Sequence, residues 1–176
     1  MDAYIIFAIL LVGFAVLIIT ITKLYDKRSF TVGTVKAGLI EGAHIVSNRT
    51  FRLSPFETFY HNGKMVNPQD YNVCKVDGEC MATRGIFAGN LVFISKIGDD
   101  INTKKSNITK GDILYIKYEK DGVEGYKLRE FSDFDTQSDK INTLYYSAED
   151  KVKHSSKPHD ICNIVGKVVM KFDYDN

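Results

Sequence analysis

The hydrophobic positions of this chain come first as a block and then as short alternations. Residues Ala3 to Thr22 form an uncharged run of about 20 with Ile, Leu, Val or Phe at thirteen positions, a length that predicts a helix crossing the hydrocarbon core of a membrane. At roughly −0.3 to −0.6 kcal/mol per side chain, insertion is favoured by about −4 to −8 kcal/mol before polar corrections. A cleaved secretory signal is the competing reading. It is disfavoured because Met1-Asp2-Ala3 lacks a basic stretch, the run is long, and no small-x-small site closes it.

From Ser29 to Asp70 the pattern is mixed. Strand-like pieces at Phe30 to Val35 and Thr50 to Leu53 are punctuated by turn signals at Ser54-Pro55, Asn62-Gly63 and Asn67-Pro68. Asn62-Gly63, flanked by Phe59-Tyr60 and Met65-Val66, predicts a hairpin. Beyond Tyr71 the chain reads as β runs: Tyr71 to Val76, Leu91 to Lys96, Ile113 to Tyr118, Val123 to Phe131, Thr143 to Tyr146 and Ile161 to Phe172. Asp121-Gly122 predicts a second hairpin, and Asp99 to Lys110 reads as a polar loop. The expectation is a mostly β, antiparallel fold behind one N-terminal transmembrane helix. Its parts are an anchor with basic flank (1–28), a connector with first β elements (29–70) and a β domain (71–176).

Charge and cysteine content narrow the function classes. The 176 residues carry 23 Lys and Arg against 22 Asp and Glu, a formal charge of +1. The lysines at 104, 105, 110, 117 and 120 alternate with acids at 99, 100, 112, 119 and 121, so they predict a solvated surface and no nucleic-acid footprint. Cys74, Cys80 and Cys162 have no metal-ligand spacing and form an odd set, and His44, His61, His154 and His159 read as surface or loop histidines. No metal and no cofactor is expected. Lys23, Lys27 and Arg28 after the apolar run place the bulk of the chain on the cytoplasmic side, in agreement with free cysteines.

One stretch carries candidate chemistry. Gly78-Glu79-Cys80-Met81 is followed by Gly85-Ile86-Phe87-Ala88-Gly89-Asn90, by Gly111-Asp112-Ile113-Leu114, and by Gly125-Tyr126-Lys127-Leu128-Arg129. Thr143 to Asp150 and Ile164 to Val169 come last. This order resembles the LexA-type repressor and type I signal peptidase superfamily over roughly residues 71 to 172. In that family a Gly-x-Ser-Met segment carries the nucleophile and a later strand carries a lysine base. Here Cys80 stands at the serine position and Asn90 where aspartate is common.

The resemblance implies a Cys80-Lys127 dyad that cleaves a peptide bond after a small residue. It also implies a substrate strand added to a sheet edge, and Ala37-Gly38 resembles the bond at which LexA-type proteins cut themselves. Signal peptidases expose their domain on the outer membrane face, against the flanking charges here. The residues themselves add detail. A thiol needs less help than a serine hydroxyl, because a nearby ammonium can hold it as thiolate. Strand alternation puts Gly125, Lys127 and Arg129 on one face, where Gly125 leaves room for a substrate backbone or for Cys80. Gly78 to Cys80 would supply oxyanion donors, Glu79 would point to solvent, and Met81 would pack or wall the cleft. The rival reading is a pseudo-peptidase, the same fold kept as a membrane-tethered peptide-binding or sensing module.

Overall fold

A computed structural model describes residues 3–28, 31–36, 51–52, 57–120, 122–147 and 150–174. These fall into two compact units. The first contains helix α1 (Ala3–Arg28) and the short strand β2 (Phe51–Arg52). The expected anchor over Ala3 to Thr22 coincides with α1, 26 residues long, whose side chains such as Leu10, Phe14, Leu17 and Ile21 are exposed. Among the described residues, no helix is long and apolar enough to cross a membrane. The described side chains of α1 run unbroken only from Ile9 to Lys23.

The second unit is mostly antiparallel β. It contains β1 (Thr31–Lys36) from Val32 onward, the hairpin β3 (Phe59–His61) and β4 (Lys64–Val66), then β5 (Asn72–Asp77), β6 (Leu91–Lys96), β7 (Ile113–Lys120), β8 (Val123–Phe134), β9 (Lys140–Tyr146), β10 (Lys153–Ser155), β11 (His159–Asp160) and β12 (Ile164–Phe172). One sheet runs in the order β10-β9-β8-β7-β12-β6-β5-β1, with β11 alongside β9. All these neighbours pair antiparallel except β1, which lies parallel to β5 from Gly33↔Cys74 to Lys36↔Asp77. A parallel bridge from Lys36 to Lys127 of β8 closes the path into a ring.

Both expected hairpins form. Asn62 and Gly63 take positive φ of 50° and 75°, the pair of left-handed residues a two-residue turn needs. Gly122, with φ of 74°, turns between β7 and β8, while Asp121 lies outside the described residues. The polar stretch from Asp99 does not stay a loop. Ile101–Asn107 is helix α2, started by Asp100, whose carboxylate accepts from the Thr103 amide at 2.9 Å. Nor is Lys104 solvated: it is buried, its ammonium donating to the carbonyls of Cys162 at 2.9 Å and Ile161 at 3.4 Å. A lysine stem packs like an apolar chain when its head finds oxygens, which composition alone does not reveal.

The continuous apolar run at the start of β7 has a plain cause. Ile113 and Tyr115 join one buried cluster with Cys74, Val92 and Leu128, while Leu114 and Ile116 join another with Phe131, Ile141 and Ile164. A strand covered on both faces loses its alternation. A third aromatic set, Phe59, Tyr71 and Phe172, surrounds Phe93 with ring centroids 4.9 to 5.8 Å away. Phe93→Ala should therefore cost about 3–5 kcal/mol, measured as a lower urea midpoint with unchanged slope.

Candidate functional site

The site begins where β5 ends. Gly78, with φ of 105°, turns the chain out of the sheet, and Ala82–Arg84 makes one 3-10 turn ended by left-handed Gly85. The excursion is closed at its neck: the Val76 amide donates to Asn90 O at 2.8 Å and the Gly89 amide to Val76 O at 2.9 Å. Asn90 is buried and uses both ends of its side chain. Its Oδ1 accepts from the Phe87 amide at 2.8 Å and its Nδ2 donates to Asp173 at 3.0 Å. An aspartate could accept the first bond but would face Asp173 with a like charge, so the amide suits this position.

Within the bend, Cys80 is 3% exposed, and its carbonyl accepts from the Tyr146 amide at 2.7 Å. Met81 is buried beside it, Glu79 points to solvent and Gly78 is half-buried. The cation against the thiol is that of Arg129, whose Nη1 lies 3.5 Å from Sγ. The same nitrogen donates to Leu128 O at 2.8 Å, and the guanidinium stacks over the Tyr145 ring at 5.1 Å. Arg129 is itself 7% exposed.

Lys127, two residues earlier on the same face, is half-buried with its ammonium 5.2 Å over the Tyr118 ring. That ring also takes the space expected at Gly125, where an added Cβ would come within 2.7 Å of it. Gly125 thus accommodates Tyr118, not a substrate backbone or Cys80. Ala37 and Gly38 lie outside the described residues, although β1 ends one residue before them, paired at Lys36 with Asp77 and Lys127.

Two opposed effects act on the thiol. Burial pushes Cys80 up to about 11, and the charge and hydrogen bond of Arg129 only partly offset this. Desolvation wins, so the group is a neutral thiol near pH 7. A guanidinium can stabilise an anion but cannot accept a proton. The pair actually in contact therefore lacks a general base.

His159 was expected at the surface, yet it is half-buried beside these cations. Its Nε2 lies 3.1 Å from Ser156 Oγ, which in turn lies 2.6 Å from Thr143 Oγ1. Burial first, then the charges of Lys127 and Arg129, hold its pKa down to about 4. The sequence shows Lys127 and Arg129 but not that β11 folds back against β9 through His159↔Ile141. Among the described residues no cluster of His, Cys, Asp and Glu could hold a metal ion. No protein-family model matches the chain, and no curated protein matches it.

The lowered pKa of His159 has a definite sign. A group held neutral in the fold contributes stability that is present above its unfolded value near 6.5 and lost as pH falls through about 4. His159→Gln should flatten the decline in urea midpoint between pH 6.5 and 4, while leaving the midpoint at pH 8 within experimental error of a neutral substitution.

Proposed function

We propose that this chain is a membrane-anchored domain of the LexA and signal peptidase type that holds an extended peptide strand without cleaving it. The observation that carries this reading is the buried Arg129 guanidinium 3.5 Å from the Cys80 thiol. A peptidase of this type needs a neutral amine or another base at that point, and a guanidinium remains protonated. The strand-binding half of the proposal draws on β1, which sits parallel between β5 and β8 and so occupies the place of an added strand.

Anchoring is supported by the uncharged run of Ala3 to Thr22 and by the 26-residue length of α1. At 1.5 Å per residue such a helix reaches about 39 Å, against about 30 Å of hydrocarbon. Lys23, Lys27 and Arg28 favour a cytoplasmic β domain. A second reading, self-cleavage at Ala37-Gly38 by Cys80 with Lys127, is favoured by one observation: β1 runs toward that bond between the strands that lead to Cys80 and carry Lys127.

Alkylation and mass measurement separate the two. In the detergent-solubilised full chain, iodoacetamide at pH 7 to 9 should modify exposed Cys162 at least about 100-fold faster than Cys80. This is the protection expected of a buried neutral thiol. Lys127→Met should leave the Cys80 rate unchanged, and prolonged incubation at pH 7 to 10 should leave the intact mass unaltered. Rapid Cys80 alkylation that depends on Lys127, or a fragment ending at Ala37, would instead establish the peptidase.

A further inference from the structure

We propose that the strand position beside β8 receives the free C-terminal carboxylate of an extended peptide and that the Arg129 guanidinium is its receptor. The inference rests on the strand-holding function proposed above and names the group that function recognises. Its first support is an unsatisfied donor. Arg129 is 7% exposed, both of its hydrogen bonds are made by Nη1, and its buried Nε has no acceptor among the described residues. A guanidinium taken out of water is stabilised by carboxylate oxygens, and the edge running from Nε matches a carboxylate in bidentate geometry.

Among the described residues no acid fills that role. Glu130, the next residue, points to the opposite face of β8 and is engaged by Lys153 at 2.8 Å and Arg84 at 3.9 Å. Burial lowers the Arg129 pKa, and the described groups that oppose this are Cys80, Tyr145 and Tyr118, none of them anionic at neutral pH. Lys127 stands on the same side and adds positive charge, while His159 beside it stays neutral. The result is a buried cationic corner facing a strand position.

Register says where the carboxylate falls. With Lys36 opposite Lys127 in a parallel pair, a strand in the place of β1 that ends two residues further on terminates level with Arg129. An amide at that point would offer one acceptor oxygen and no charge. A carboxylate offers two and a full charge, which strengthens each hydrogen bond it accepts from the guanidinium.

The probe is a fluorescein-labelled octapeptide, Thr-Val-Gly-Thr-Val-Lys-Ala-Gly, copying residues 31–38, made with a free C-terminus and as the C-terminal amide. Fluorescence anisotropy with the detergent-solubilised full chain gives both affinities. Internal β1 competes equally with each, so their ratio is unaffected by it. The acid should bind at least about 10-fold tighter than the amide, and Arg129→Gln should abolish that preference while Arg129→Lys keeps part of it. Equal binding of acid and amide by the wild type would overturn the carboxylate inference and leave strand binding standing. Binding of neither at millimolar concentration would overturn the strand-holding function, and the inference with it.

Discussion

The closure between Val76 and Asn90 is the constraint on which the rest of the site depends. Two backbone hydrogen bonds pinch the chain where it leaves β5 and returns to β6, so the intervening excursion is a fixed loop with Cys80 and Met81 facing inward. Asn90 makes the pinch specific, because one amide side chain bridges the Phe87 backbone and Asp173 near the far end of the chain. The Cys80 carbonyl then docks on the Tyr146 amide, which ties the bend to β9. Local turn chemistry and long-range sheet order thus meet at one residue.

Electrostatics at the site is decided by burial more than by charge. Arg129 is close enough to favour a thiolate, yet Cys80 moves the other way because water is excluded from it. Desolvation likewise lowers His159 and, more weakly against its neighbours, Arg129 itself. Cations gathered on one face of β8, with a neutral thiol between that face and β5, make a better receptor for a negative group than a source of one. Tyr118 completes the arrangement by filling the space above Gly125 and meeting the Lys127 ammonium with its ring.

Much of the β domain was legible in the chain. Leu91–Lys96 forms a strand with the expected bounds, and Asn62-Gly63 and Gly122 stand at turns, because a short apolar run and left-handed turn residues act locally. The helix at Ile101–Asn107 was not, since six of its seven residues are polar and carry little helical period, and it rests on an Asp100 cap and on carbonyls supplied by Ile161 and Cys162. At the site, period-two alternation puts Lys127 and Arg129 on the same face, so the strand pattern cannot say which meets Cys80. That choice belongs to the registry between β8 and β9 and to the height of the Cys80 bend, both set by residues distant in the chain. The parallel insertion of β1 was hidden for a similar reason, as its partners Cys74 to Asp77 and Lys127 are supplied only by the folded sheet.

The position of β1 has a mechanical consequence. It is the strand that directly follows α1 in the chain, and it is paired over four consecutive residues with β5. A pull delivered through α1 along the axis of β1 loads those hydrogen bonds together, in shear, instead of peeling them one at a time. Such a joint resists force until it yields as a unit. Its release would open the ring between β5 and β8 in a single step.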